Sequence, residues 1–486
     1  MSFQAAAIEA HRADDLPRAI ELMRQAVAER PADPDLRLNL GLMLLTAGRW
    51  KEAWPLYEAR HDPKLKHVNR LQPPFQGRRP WRGEPLEGKR IVLVPEQGFG
   101  DELMSCRFAP VLAAKGAKVI LAVQPPLKAL MKTLPGIVRV ATHGERLAAS
   151  EHDYWAYPLT VAALLGIEPS TIPSAVPYLA AEPERVARWR KRLGPRRHEL
   201  RVGIAWRGRN DTSYDRSRNL ALAQLAPLAA VDGVRLVSLQ HGEPNADAGA
   251  PGAPPVWVPD GEPLGDFADA AALAASLDLV ISIDSSPGHL AGSLGLPAWT
   301  LVPAPPDWRW FTKRQDTPWY PTMRLLRQPA PGDWAPVMAR AARELAGIVA
   351  ALRAVKARGG AEGRREVVKA GHALLARGRL RDAERAFRAA IAWLPDEPNA
   401  LHGLGMVAIR ARKPRAARSL LAAALRSAQR RRAPGGALSL MLAHLGQALR
   451  QSGERDHAAN AYRESLKLAP NAQVKAWLGE LEGRQA

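Results

Sequence analysis

Residues 278–295, DLVISIDSSPGHLAGSLG, indicate the fold most strongly, because an apolar run passes there directly into small and polar residues. The run at 279–283 is largely β-branched and uninterrupted, which is typical of a strand covered on both faces. Pro287 is suited to an early helical position, so a helix is expected next. Hydroxyls and free N–H groups at a helix start suit a diphosphate. The predicted ligand-binding residues are therefore Asp284, Ser285, Ser286 and His289; the alternative is serine capping beside a core histidine, which we favour for His289 taken alone.

A second strand-to-helix junction lies at residues 94–103, VPEQGFGDEL. Gly98 and Gly100 permit a tight turn and a close approach of the backbone to a ligand. Asp101 is expected at the carboxyl end of the strand, where α/β proteins bind ligands. The loop lacks the Gly-Lys-Ser/Thr ending of a Walker loop. The alternative is that Asp101 caps the helix.

Two further segments carry side chains suited to ligands. Arg207 follows a predicted strand at 200–206, and Arg216 and Arg218 lie just beyond it. Arginine binds phosphate in a bidentate manner, although a solvated loop explains these residues equally well. Tryptophans at 307–310 and 318–321 can stack on a base or sugar, or pack one lobe on another, and we favour packing.

The centre of the chain alternates short apolar runs with alanine- and leucine-rich stretches. Strands alternating with helices predict parallel sheets with crossover helices. A polar, proline-marked stretch at 182–199, helical around 185–192, is expected to separate two such α/β halves. The strands that the sequence predicts are 91–94, 118–123, 200–206, 234–239, 279–283 and 298–302.

Both ends of the chain repeat a helical motif with a period of 34 residues. Ala19 recurs at Ala53, and Ala383 recurs at Ala417; Ala458 follows after 41 residues because of an insertion at 430–436. This period predicts helix–turn–helix units that stack on one another, and the pattern resembles tetratricopeptide repeats. The predicted domains are repeats at 1–66, α/β halves at 67–187 and 188–355, and basic repeats at 356–486.

Composition narrows the class of protein. The 486 residues are 47% hydrophobic and include one cysteine, Cys106, which excludes an internal disulfide. No apolar run reaches the roughly 20 residues that span a bilayer, and no secretion signal is evident, so we expect a cytoplasmic protein. The net charge is +21, and from Lys356 onward 25 Lys and Arg face 11 Asp and Glu. This excess indicates a solvated helical surface, or attraction to an acidic partner, to an anionic membrane surface or to nucleic acid. Because no aromatic residues interleave with the basic ones, a nucleic-acid partner is not expected.

The order of these motifs over residues 81–352 resembles the ADP-heptose:lipopolysaccharide heptosyltransferase family, glycosyltransferase family nine. The resemblance implies a GT-B fold and an inverting, metal-independent transfer, with Asp101 as the catalytic base. It also implies that Asp284, Ser285 and His289 hold the donor diphosphate and sugar, with a basic phosphate-binding residue at Arg216 or Arg218. Ser285 stands where the family usually has threonine, and Gly288 where alanine or serine is common.

The sequence therefore predicts a glycosyltransferase that moves a sugar from a nucleoside-diphosphate sugar to an acceptor hydroxyl. Such a transfer needs a base for the acceptor and positive charge for the leaving diphosphate. The acceptor is a glycan or a protein, recruited by the repeats, and no metal or other cofactor is expected. The alternative is a repeat scaffold whose α/β core is catalytically inactive.

Overall fold

The structure is a computed structural model that describes residues 2–66, 79–142, 145, 151–173, 176–195, 199–208, 213–241, 243–259, 264–357, 361–394 and 397–483. Helices occupy both ends of the chain, and two parallel β-sheets lie between them. The predicted fold class, an α/β core flanked by all-α repeats, is confirmed. The limits assigned to the four domains stay predictions.

The N-terminal repeat consists of two helical hairpins. Asp33 starts the second hairpin, since its side chain accepts the N–H groups of Asp35 and Leu36. Ala19 and Ala53, which the 34-residue period aligns, are both fully buried. The helices are α1 (Phe3–Arg12), α2 (Leu16–Glu29), α3 (Pro34–Thr46) and α4 (Trp50–Tyr57), and a 3₁₀ turn at Glu58–His61 follows.

The first lobe is a four-stranded parallel sheet in the order β3-β2-β1-β4. The first strand along the chain, β1, lies inside the sheet, so the strand order reverses beside it. The loop after β1 lies at this topological switch point. The strands are β1 (Arg90–Leu93), β2 (Lys118–Val123), β3 (Ile137–Thr142) and β4 (Tyr154–Ala156). The helices are α5 (Phe99–Ser105), α6 (Phe108–Ala113), α7 (Lys128–Met131) and α8 (Pro158–Leu164).

The second lobe is a six-stranded parallel sheet in the order β10-β9-β8-β5-β6-β7. Counted within the lobe this is the Rossmann order 3-2-1-4-5-6, with its switch point between β5 and β8. The strands are β5 (Leu200–Ala205), β6 (Val234–Ser238), β7 (Val256–Trp257), β8 (Leu279–Ile283), β9 (Ala298–Val302) and β10 (Met323–Arg327). The helices, with α9 leading in from the first lobe, are α9 (Pro183–Leu193), α10 (Ser213–Arg218), α11 (Ala226–Ala229), α12 (Phe267–Ala274), α13 (Ser286–Ser293) and α14 (Ala335–Ala357).

The C-terminal array continues from α14 as stacked hairpins. Glycines make room for large side chains of the neighbouring helix: a Cβ at Gly446 would lie 2.4 Å from the ring of Tyr462, and one at Gly403 2.3 Å from Phe387. The insertion at 430–436 is accommodated by longer α18 and α19 helices of 17 residues each. The helices are α15 (Ala361–Ala376), α16 (Leu380–Trp393), α17 (Pro398–Arg410), α18 (Pro414–Arg430), α19 (Gly435–Gln451), α20 (Arg455–Leu468) and α21 (Ala472–Glu482).

The hydrophobic cores connect these parts unequally. One continuous cluster joins the N-terminal repeat, the first sheet and the 308–325 segment of the second lobe. A second cluster lies between the other face of the second sheet and α14. The C-terminal array packs into several smaller clusters, one of which includes Ala351 of α14. None of the described helices is long and apolar enough to cross a membrane.

The six strands predicted from the sequence are all present, but the set is incomplete. The structure adds β3, β4, β7 and β10, and all four lie at the edges of their sheets. These edge strands lack a continuous apolar run: β4 and β7 have only three and two residues, and arginines interrupt β3 and β10. The predicted helix around 185–192 is present as α9.

Candidate active site

The loop after β1 brings Asp101 to the carboxyl edge of the first sheet. Helix α5 begins after Gly98, and the Gly98 N–H donates to Asp101 Oδ2 over 3.0 Å. Asp101 therefore caps the N-terminus of α5, as the capping alternative predicts. Its side chain keeps 21% of its exposure, so this hydrogen bond does not remove the carboxylate from solvent. Gly100 lies against the second lobe, where a Cβ would meet His289 Cδ2 at 2.8 Å.

The segment after β8 places Asp284, Ser285, Ser286 and His289 on the facing edge of the second sheet. His289 is 4% exposed; its Nδ1 lies 2.9 Å from the Tyr320 hydroxyl and its Nε2 3.7 Å from Asp284 Oδ1. Ser285 contacts Ser282 through the two hydroxyls at 3.1 Å. Ser286 begins α13, and its hydroxyl has no hydrogen-bond partner among the described residues.

The three predicted arginines occupy different places around the switch point of the second sheet. Arg218 lies between the ends of β5 and β8, where it donates to the Asp284 carbonyl and pairs with Asp215. Arg207 is exposed and pairs with Asp247 at 3.1 Å. Arg216 is exposed on α10. Arg218 thus contacts the strand end that carries Asp284.

Sequence reasoning missed Arg309 as a member of this site. Arg309 is 7% exposed and reaches from the 3₁₀ turn at Trp308–Trp310 across to the first lobe. Its guanidinium pairs with Asp101 and donates to Gln97 Oε1 over 2.9 Å and to Asp307 Oδ1 over 2.7 Å. The sequence did show an arginine between two tryptophans, but we assigned that segment to packing between the lobes. The two tryptophans are indeed buried.

Two charged groups of this junction, Arg309 and Asp307, have pKa values shifted from their usual ones. Burial acts to lower the pKa of Arg309, but the carboxylates of Asp101 and Asp307 outweigh it and raise that pKa well above its usual value. Burial raises the pKa of Asp307, against the opposing effect of Arg309. The guanidinium is therefore a permanent cation between two carboxyl groups. On the far side of α5, burial raises the pKa of Glu102 to about 7.

Gly100 of the first lobe meets His289 of the second, so part of the predicted set comes together, whereas Arg207 and Arg216 stay exposed away from this contact. Asp284 is 6% exposed, and the ring of His289 stacks on Trp310 with centroids 5.3 Å apart. Two cavities of about 410 and 420 Å³ lie elsewhere, beside the C-terminal array and beside α4, and neither is lined by a predicted site residue. In the described ranges no three His, Cys, Asp or Glu side chains are grouped to hold a metal ion. The independence from metal stays a prediction.

Comparisons with known proteins identify the repeats. Residues 5–64, 374–439 and 441–472 match family models described as tetratricopeptide repeat. The chain is also similar to Protein FlbA of Caulobacter vibrioides, at 32% identity over 346 residues. That similarity covers 66% of this chain and 57% of FlbA, so the chain spans little more than half the length of this relative.

Two solved structures resemble parts of the chain. The glycosyl transferase family 9 protein from Veillonella parvula has 15% identity and a TM-score of 0.38, covering 51% of this chain and 88% of that one. The ADP-heptose LPS heptosyltransferase II of E. coli has 15% identity and a TM-score of 0.41, covering 54% and 98%. The fold assignment rests on the strand orders above rather than on these alignments. The chain thus carries tetratricopeptide repeats at both ends of a core built from two facing, Rossmann-like parallel sheets.

Proposed function

We propose that the chain is a glycosyltransferase, which transfers a sugar from a nucleoside-diphosphate sugar to an acceptor hydroxyl with inversion and without a metal. One observation carries the proposal. The switch-point loop of the first sheet, with Asp101, meets the switch-point loop of the second, with Asp284 and His289, and Gly100 permits the contact. Switch points are where open α/β sheets bind ligands, so two that face each other suit a two-part substrate.

In the proposed reaction Asp101 accepts the proton of the acceptor hydroxyl. The acceptor oxygen forms a bond to the anomeric carbon of the donor as the bond to the diphosphate breaks. The leaving diphosphate is stabilised by the positive charge of Arg218, by a hydrogen bond from the Ser286 hydroxyl and by the positive end of the α13 dipole. Arg207 and Arg216 lie farther out on the same edge and suit a role in attracting the anionic donor.

The test starts with a thermal-shift screen against ADP, UDP and GDP and against ADP-glucose, UDP-glucose and GDP-mannose. A ligand that binds the folded state raises Tm. With the nucleotide sugar that raises Tm most, release of nucleoside diphosphate is then measured. Asp101→Asn is expected to lose about 100-fold or more of the rate, the usual contribution of a general base. Glu87→Gln, an exposed carboxylate of the same lobe, is the matched control and should leave the rate unchanged.

A second candidate function is a scaffold with an inactive core, and the pairing of Asp101 with the nearly buried Arg309 favours it. This candidate predicts that none of the six nucleotides raises Tm and that none of the three nucleotide sugars is turned over. A clear Tm shift with one nucleotide, followed by its turnover, would exclude it.

We propose that helical repeats bind the acceptor. The C-terminal array suits this role better than the N-terminal repeat does. Its hairpins keep cores of their own, and its surface carries exposed arginines such as Arg381, Arg431 and Arg432. An acidic acceptor protein or an anionic membrane surface suits this charge. Sedimentation with phosphatidylserine vesicles at 50 and 300 mM salt tests the membrane alternative, which requires binding that is lost at about 300 mM salt.

A further inference from the structure

Arg309 is held in place by the N-terminal repeat as well as by the two lobes. Its guanidinium lies over the ring of Trp308, 4.7 Å from the ring centroid. The Trp308 ring is packed edge-on by Trp50 and Trp54 of α4, at centroid distances of 5.7 and 6.3 Å. Removing either repeat tryptophan would leave a void beside the ring that supports the guanidinium.

The repeat also reaches Arg309 through a hydrogen-bonded chain. The amide of Gln97 donates to the Tyr57 hydroxyl over 3.1 Å, which directs its carbonyl oxygen to Arg309 Nη2 at 2.9 Å. The same Nη2 pairs with Asp101 Oδ1. Tyr57 lies at the end of α4 and is 2% exposed. The repeat thus fixes the plane of the Arg309 guanidinium. It also fixes the Gln97 amide, which accepts a hydrogen bond from the same Arg309 nitrogen as Asp101.

These contacts set the orientation of the Asp101 carboxylate. Oδ2 accepts the Gly98 N–H and Oδ1 accepts from Arg309, so both oxygens are fixed. Each carboxylate oxygen retains a second lone pair, so the group can still accept a proton. A base that is already held in one orientation lowers the activation free energy, because no entropy is lost in ordering it at the transition state.

We infer that Arg309 is a positioning residue for Asp101 and that the N-terminal repeat is a structural part of the active site. The inference rests on the proposed function and deepens it. Recruitment of an acceptor by helical repeats is then left to the C-terminal array, because the face of α4 that carries Trp50, Trp54 and Tyr57 is buried against the core.

The experiment uses the full-length chain and the conservative variant Tyr57→Phe, which removes one hydroxyl and keeps the ring. Release of nucleoside diphosphate is measured with ADP-glucose, UDP-glucose or GDP-mannose, whichever the wild type turns over. We expect kcat to fall about 5-fold with KM unchanged, the size of one lost hydrogen bond. Arg309→Met should lose about 100-fold and Arg309→Lys less, because the lysine restores a cation without the planar fork.

Tyr462→Phe in α20 is the matched control, since it removes a buried tyrosine hydroxyl far along the chain, and it should leave kcat unchanged. Equal kcat values for wild type, Tyr57→Phe and Arg309→Lys would overturn the inference, as would a change in KM alone.

A wild type that neither binds nor turns over any of these nucleotides would refute the proposed function, and hydrogen exchange then decides the inference separately. The inference requires faster exchange of residues 97–105 in Tyr57→Phe than in wild type, while Tyr462→Phe leaves that segment unchanged. Identical exchange in all three proteins would refute the linkage between the repeat and Asp101.

Discussion

The two repeat arrays are built from the same kind of helical hairpin but are attached to the core in different ways. The N-terminal repeat has ten Lys and Arg against ten Asp and Glu in residues 1–66, and it shares one hydrophobic core with the first lobe. The C-terminal array carries 25 against 11 and keeps separate clusters. A shared fold of the repeat therefore does not imply a shared role: one array is part of the core, and the other is an appended surface.

The attachments differ in chemistry as well. The N-terminal repeat meets the core through aromatic rings and a buried ion pair between Arg60 and Glu96. The C-terminal array meets it through α14, where Gly347 allows Arg385 of α16 to approach to 3.2 Å of the position of a Cβ. A small apolar cluster also packs Ala351 of α14 against array residues Val367, Ala386 and Ala389. Burial of large aromatic rings couples two parts more strongly than burial of alanine and valine side chains, because more apolar area is removed from water.

The largest expected effect that tests this difference is that of Trp50→Ala. Trp50 is 1% exposed and packs against Trp54, Trp308 and Trp319. Its removal should lower the free energy of unfolding by about 3–5 kcal/mol. Segment-resolved hydrogen exchange should show faster exchange in α5 and in the 308–319 segment as well as in the repeat.

Phe387→Ala is the matched variant in the C-terminal array, because Phe387 is fully buried in a cluster of its own. Its faster exchange should be confined to α15–α18. If the two variants loosened the same segments, the distinction between the arrays would be wrong.

A slightly smaller effect is expected for Arg60→Ala. The Arg60 side chain is 5% exposed and pairs with the 2% exposed Glu96 at 3.0 Å. Leaving the Glu96 charge buried without its partner should cost about 3 kcal/mol, measured by denaturant unfolding. Arg463→Ala breaks the exposed pair with Glu482 in the C-terminal array and should stay within about 0.5 kcal/mol of wild type. Equal losses in the two variants would contradict the account.

The C-terminal array should respond to mild acid. Burial, with a smaller effect of His444 and His372, lowers the pKa of His402 to about 3, and burial lowers that of His444 to about 4. The unfolded chain binds protons on these rings below about pH 6.5, whereas the folded chain does not. Stability should thus fall between pH 6.5 and about 3, by at most about 1.4 kcal/mol per pH unit for each ring.

The check is Tm against pH for wild type and His402→Gln. The variant should have a flatter dependence in this range, and the same slope in both proteins would show that the pair does not control it.

The stability of the N-terminal repeat should respond to acid over a lower and narrower pH range. This is the smallest of the four expected effects. Burial acts to raise the pKa of Glu58, but hydrogen bonds from His61 and Arg60 outweigh it and lower that pKa to about 2. A lowered carboxyl pKa gives stability that is complete above about 4.5 and is lost as pH falls towards 2. Melting of Glu58→Gln and wild type should differ at pH 6 and converge near pH 2; a constant difference would contradict this assignment.

The sequence predicted the repeats and the central strands because both have strong periodic signals. Ala383 and Ala417 mark the repeat, and β5, β8 and β9 are fully buried apolar runs. The edge strands β3 and β10 were missed because arginines interrupt them, as Arg139 does in β3. The strands β4 and β7 were missed because they have only three and two residues.

The candidate site was predictable in part for a similar reason. Asp101 and His289 follow recognisable strand-to-helix junctions, so each was identified locally. Arg309 was not, because its partner Asp101 lies 208 positions away and only the folded chain brings them together. Nor did any sequence pattern indicate that Tyr57, in a repeat helix, touches Gln97 beside the site.

The most direct test of the central claim, that loops from both sheets form one nucleotide-sugar site, is hydrogen exchange of the full chain with and without millimolar ADP-glucose, UDP-glucose or GDP-mannose. The account predicts that the nucleotide sugar giving the largest thermal shift slows exchange in both the 96–104 and the 284–290 segments. Protection of one segment alone, or of neither, would contradict a site shared by the two lobes.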